Sequence, residues 1–154
     1  MKGIPNFFRS TDSHSLEETE RIAVSFMEQL LPYCKERQGA CVVGLIGDLG
    51  SGKTAFVQAV AKSLSVRERV GSPTYVIMKP YELTGIFSTL WHIDCYRTEG
   101  REDLLRLGFE RMIKDPQNII FIEWADMIKD ILPPSAILLS FSSMQENTRR
   151  ISQL

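Results

Sequence analysis

The chain has no basic excess: 18 lysines and arginines face 19 aspartates and glutamates, for a formal net charge of -1. A protein that grips nucleic acid by itself usually carries a basic surplus, so any role on RNA is expected to run through a partner. No apolar run approaches the ~18 residues of a membrane helix. The first residues, Met1-Lys2-Gly3-Ile4-Pro5-Asn6-Phe7-Phe8, lack the apolar core of a signal peptide. Cysteine is scarce. Cys34, Cys41 and Cys95 are odd in number and without C-x-x-C spacing, which suggests neither a disulfide framework nor a zinc site. Cys41, at the head of an apolar run, reads as a small hydrophobe. No N-K-x-D guanine motif is present, which argues against a GTPase, and no repeat or low-complexity segment divides the chain. These absences together predict a protein of the reducing cytoplasm with no membrane contact.

What is present is ordinary in amount and specific in order. With 44% hydrophobic and 24% charged residues, the composition is that of a globular protein. A chain of this length buries roughly 68–70% of its unfolded surface as one domain, here expected to span 1–154 with residues 1–14 irregular.

The most informative stretch is Gly47-Asp48-Leu49-Gly50-Ser51-Gly52-Lys53-Thr54, which fits G-x-x-x-x-G-K-[ST] at every fixed position. It follows an apolar run, 41–46, that reads as a strand. It precedes 55–64, which reads as a helix. Strand, glycine loop and helix form the context the phosphate-binding motif requires. The glycines let inward-facing N–H groups approach a phosphate closely. The helix that follows adds unsatisfied donors and a positive dipole end. Lys53 is long enough to reach terminal phosphates, and Thr54 offers a hydroxyl to a Mg2+ shell.

Along the rest of the chain, Ser15-Leu16-Glu17-Glu18 is a capping box, and Ile22, Phe26 and Leu30 recur at helical spacing behind it. Residues 75–78 and 86–94 predict two strands of a hairpin about the Leu83-Thr84-Gly85 turn. One amphipathic helix is expected over 101–114. Strands are expected at 118–122 and 136–141, with an edge strand over 149–154. Strands alternating with helices, and hairpins among them, predict an α/β P-loop fold of three layers with a mixed, partly parallel central sheet.

Hydrolysis at such a loop needs a metal and an oriented water as well as a phosphate cradle. Glu123 and Asp94 each end an apolar strand, where α/β folds place ligands. Either carboxylate could meet the metal while the other positions water. His92 shares a strand face with Asp94 and could support the site or simply pack. Trp124 reads equally as a core residue or as a lid over a nucleotide. Arg97, Arg101, Arg149 and Arg150 are candidate phosphate or partner contacts, and the segment Thr11 to Ser15 is a candidate base contact.

Taken in order, the loop at 47–54, Ser72-Pro73-Thr74-Tyr75, His92-Ile93-Asp94-Cys95-Tyr96-Arg97 and Ile122-Glu123-Trp124 resemble the TsaE (YjeE) family of tRNA threonylcarbamoyladenosine biosynthesis ATPases. The loop alone is shared by many nucleotidases; the ordered set is far more specific. The resemblance implies an accessory ATPase working with TsaB and TsaD, which modify the adenosine beside the tRNA anticodon, so that tRNA is met only through the complex. It implies ATP and Mg2+ as ligands. Residues 47–54 would hold phosphates, with Lys53 also catalytic. Thr54 and Glu123 would bind the metal, and Asp94 would support hydrolysis with a lesser claim on the metal. Ser72 to Thr74 would form a switch-like segment near the terminal phosphate, and Trp124 would lie near the nucleotide; apart from the resemblance, Ser15 and Arg150 are further candidate nucleotide contacts. A small-molecule P-loop kinase and a non-hydrolysing nucleotide sensor are the alternative readings.

Overall fold

The computed structural model describes residues 3–73, 77–97 and 100–154. Its elements are β1 (Ser10–Ser13), α1 (Leu16–Lys35), β2 (Cys41–Gly47), α2 (Lys53–Ser63), β3 (Met78–Glu82), β4 (Thr89–Asp94), α3 (Arg101–Arg106), α4 (Phe109–Met112), β5 (Asn118–Glu123), a 3₁₀ segment (Ala125–Ile131), β6 (Ile137–Gln145) and β7 (Thr148–Gln153).

The seven strands of the described residues join one sheet in the order β1-β7-β6-β2-β5-β4-β3. The inner strands β6, β2, β5 and β4 are parallel, and the pairs β1/β7, β6/β7 and β3/β4 are antiparallel. Parallel strands need cover on both faces, and the sequence supplies it. Every residue of β5 is buried. Its odd members, Ile119 and Phe121, pack with Phe26, Leu30, Phe56 and Val60 of α1 and α2. Its even members, Ile120 and Ile122, pack on the opposite face with Leu104, Phe109 and Met112 of α3 and α4 and with Ile128 of the 3₁₀ segment. The period-two pattern of a strand thus divides one apolar run between two cores.

The α1 cap forms as its residues dictate. Ser15 Oγ accepts from the Glu18 N–H at 3.1 Å. The Glu18 carboxylate reaches back one residue beyond the cap, accepting from the His14 N–H at 2.7 Å. Such a cap stabilises by about 1 kcal/mol.

Four expectations change. The helix predicted over 101–114 is broken into α3 and α4, because Gly108 between them takes φ 86°, a left-handed geometry that glycine adopts without a Cβ clash. The segment 1–14, expected to be irregular, contains β1. Its sequence, Ser-Thr-Asp-Ser, has no apolar alternation, and it joins the sheet edge through backbone pairing with β7. Cys34 and Cys41 form a disulfide with Cα atoms 5.8 Å apart, contrary to the expectation of none. The turn after α1 folds the chain back so that the helix end meets the start of β2, a proximity that seven-residue spacing does not advertise. The 75–94 hairpin is present, but its strands are β3 and β4, and Tyr75 and Val76 lie outside the described residues.

Candidate functional site

Because β2, β5 and β4 are parallel and adjacent, Gly47, Glu123 and Asp94 end at the same edge of the sheet. The glycine loop leaves β2 there, and α2 begins immediately after it. Gly47 has φ 154°, and a Cβ on it would collide with the Phe141 carbonyl of β6, so the loop passes this point only as glycine. A cleft of about 430 Å³ opens over the loop, lined among others by Gly50, Lys53, Thr54, Ser72, Asp94, Tyr96, Glu123 and Trp124.

Thr54, at the second position of α2, donates from Oγ1 to both oxygens of Glu123, at 2.8 and 2.9 Å. Glu123 is 3% exposed. Its Oε1 also meets His92 Nε2 at 2.8 Å. Asp94, beside Glu123 in register, accepts from the Tyr96 N–H at 2.9 Å and from Ser72 Oγ at 3.3 Å. The Ser72 contact ties the segment after α2 to the end of β4.

Lys53 is buried against the loop. Its Nζ donates to the Gly47 carbonyl at 2.6 Å, the Asp48 carbonyl at 2.8 Å and Ser51 Oγ at 3.3 Å. These use all three of its donors. The ammonium also stands 4.4 Å from the centre of the Trp124 ring, a cation–π distance. Burial holds the Lys53 ammonium below the usual lysine range, against the opposing pull of Glu123, Asp94, Asp48 and Asp126.

Trp124 has φ 57° and ψ 42°. A bulky residue in left-handed geometry is an outlier that persists only where its surroundings over-determine it. Here the indole is held between Lys53 and Tyr96, whose ring centre is 4.8 Å away. The outlier turns the chain directly after the Glu123 carboxylate and aims the ring into the cleft.

The structure therefore brings Lys53, Thr54, Asp94, Glu123 and Trp124 to one place, with Leu49 to Gly52 along its floor. Gly47 and Asp48 approach it through the carbonyls that bind Lys53. Thr74 lies outside the described residues. Ser15 is occupied as the α1 cap, and Arg150 forms a two-point ion pair with Asp12 at 2.7 and 2.9 Å across β7 and β1. Neither lines the cleft. Arg149 comes closer: a Cβ on Gly52 would stand 3.9 Å from its Cγ. Sequence reasoning did not assign Tyr96 a role of its own. Its signal was its position two residues past Asp94, just beyond the strand end.

The donor set suits Mg2+. Thr54 and Glu123 offer hard oxygens held side by side, 2.8 Å apart, the donor type that Mg2+ takes. Among the described residues no group of three or more His, Cys, Asp or Glu side chains converges as a metal cage. Mg2+ prefers one or two protein ligands, with waters and substrate phosphates completing its shell. Also among the described residues, no helix is long and apolar enough to cross a membrane.

A family model described as "Threonylcarbamoyl adenosine biosynthesis protein TsaE" matches residues 13–151. A "tRNA threonylcarbamoyladenosine biosynthesis protein TsaE" of Rickettsia felis is 33% identical over 137 residues, covering 88% of this chain and 74% of that protein. The protein of the same description from Bacillus subtilis is 33% identical over 111 residues, covering 72% of this chain and 67% of that protein. The solved structure "Crystal structure of Bacillus subtilus YdiB" superposes with a TM-score of 0.70 at 26% identity, covering 94% of this chain and 82% of that one.

Proposed function

Because this chain belongs to the TsaE family, with its role in tRNA threonylcarbamoyladenosine biosynthesis, we propose that its part there is that of a weak Mg2+-dependent ATPase whose turnover rises with its partners. The one sheet through the chain supports a single ATPase domain over residues 1–154. The observation that carries the reading is the meeting of Thr54 and Glu123 at the mouth of the glycine loop.

In this reading the loop amides and the start of α2 cradle the phosphates, and Lys53 exchanges its loop carbonyls for phosphate oxygens. Thr54 and Glu123 hold Mg2+, with Asp94 as a lesser candidate. When bound, the ion neutralises charge that develops between the phosphates during transfer. Asp94, fixed by Ser72 and the Tyr96 amide, accepts a hydrogen bond from the attacking water and orients it. Trp124 and Tyr96 close one side of the site and limit access of bulk water. The family pattern assigns Thr74 to the terminal phosphate; Ser15 and Arg150, engaged as the α1 cap and with Asp12, would reach the nucleotide only by leaving those partners.

The partners in this proposal are TsaB and TsaD in the cytoplasm, with tRNA met through them. No arginine of the described residues lines the cleft except Arg97. Slow turnover by the isolated chain is expected if the transition-state charge is completed by a partner.

The test is reconstitution. Threonylcarbamoyladenosine formed in tRNA by TsaB and TsaD is measured with the parent chain and with Lys53→Ala. Repeated rounds of modification with the parent and none beyond a first round with the variant support the proposal. Equal yields contradict it. Phosphate transfer from ATP to a small acceptor would favour the kinase alternative.

A further inference from the structure

We propose that His92 is a positioning residue for Glu123: its imidazole fixes the carboxylate that Thr54 also binds, and so sets how tightly this pair takes Mg2+. The inference rests on the reading of Thr54 and Glu123 as the metal-binding pair.

His92 is on β4, opposite Phe121 of β5 and two residues short of the Asp94/Glu123 pair. Side chains two apart share a strand face, so His92, Asp94 and Glu123 project to the same side, the side covered by α1 and α2. The imidazole is fully buried, with Leu90 and Phe121 on the same face of the sheet. From there it reaches diagonally to Glu123 Oε1 at 2.8 Å.

Its other ring nitrogen carries the argument. Among the described residues, His92 Nδ1 is buried and without a hydrogen-bond partner. A bare N–H in an apolar core leaves a donor unsatisfied. The lone pair is the less unfavourable atom to leave bare, so the proton belongs on Nε2, where it is donated to Glu123. A histidine present only to fill space would do no better than leucine here. This one leaves half of its polar capacity unmet, and the half that is met goes entirely to Glu123.

The consequence is local rigidity. Glu123 receives His92 on Oε1 and Thr54 on both oxygens. A free glutamate has three side-chain torsions to fix before it can ligate. This one is held in place, facing Thr54, by a group buried behind it. Hydrogen bonds of this kind behind a ligating carboxylate typically change metal affinity by ~10–100-fold.

The test uses the full chain with N-methylanthraniloyl-ATP as fluorescent probe. Nucleotide affinity is measured in EDTA and across a Mg2+ titration for the parent, His92→Leu, His92→Gln and Glu123→Ala. His92→Leu fills a similar volume without a donor. It is expected to need roughly tenfold more Mg2+ or greater, with metal-free affinity unchanged. His92→Gln places an amide N–H near the Nε2 position and is expected to recover most of the loss. An unshifted Mg2+ requirement in His92→Leu, alongside a shifted one in Glu123→Ala, overturns this inference alone. An unshifted requirement in Glu123→Ala overturns the metal-pair reading and this inference with it.

A second measurement needs no variant at position 92. The chain has two histidines, so His14→Gln leaves one imidazole for nitrogen NMR. A ring that carries a proton on Nε2 supports the proposal. A ring protonated at Nδ1 alone overturns it.

Discussion

Thr54 and Glu123 are 69 residues apart in the chain, and the hydroxyl of one lies 2.8 Å from the carboxylate of the other. One belongs to the helix that follows the glycine loop, the other to the end of the neighbouring parallel strand. The sheet order alone brings them together: β2 and β5 pair with Leu45 opposite Glu123, so the loop that leaves β2 must pass over the end of β5.

The pair gives a first prediction. Glu123→Gln keeps the size and the hydrogen bond to Thr54 but removes the charge. Nucleotide affinity in EDTA is expected to stay near that of the parent, while Mg2+-dependent hydrolysis falls by about 100-fold or more, a loss typical of removing one electrostatic contact to the transition state. Equal hydrolysis by the variant and the parent would remove Glu123 from the mechanism.

A second prediction concerns backbone strain at Trp124. Its left-handed geometry costs an ordinary L-residue roughly 1–2 kcal/mol, and glycine almost nothing. Trp124→Gly and Trp124→Ala both remove the contacts to Lys53 and Tyr96. The glycine variant should nevertheless be the more stable by about 1 kcal/mol, the reverse of the usual order. Urea unfolding of the two variants checks this, and an alanine variant of equal or greater stability would contradict it.

A third prediction follows from the Asp12–Arg150 pair that fastens β1 to β7. The guanidinium holds the Asp12 carboxyl below its ordinary value of 3.8. The folded chain therefore binds the proton less readily than the unfolded chain. The pair's contribution to stability is complete above 3.8 and is lost as pH falls through the lowered folded value. The gap in urea midpoint between the parent and Asp12→Asn should be constant at neutral pH and close on acidification. It should also shrink with added salt, because the pair is exposed. A gap that widens on acidification would contradict this account.

Much of the cluster that meets at the candidate site could be read from the sequence. The loop at 47–54 announces itself through fixed glycine, lysine and threonine positions, and Glu123 and Asp94 through their places at the ends of apolar runs. What could not be read depends on tertiary position. The β1 strand has no apolar alternation, because an edge strand needs backbone partners more than a buried face. The break between α3 and α4 required Gly108 to act as a stop inside a helical pattern, and an isolated glycine does not always do so. Cys34 and Cys41 meet only because the turn after α1 returns the chain to β2. Trp124 gave no sign of its left-handed backbone, since tryptophan is not a residue that favours it.

The most direct measurement is the rate of Mg2+-dependent ATP hydrolysis by the chain alone and with TsaB and TsaD together, using Lys53→Ala as control. A low rate that rises with both partners and vanishes in the variant is the expected result. A rate that the partners do not change, or one that survives in Lys53→Ala, would contradict a partner-dependent ATPase built on this loop.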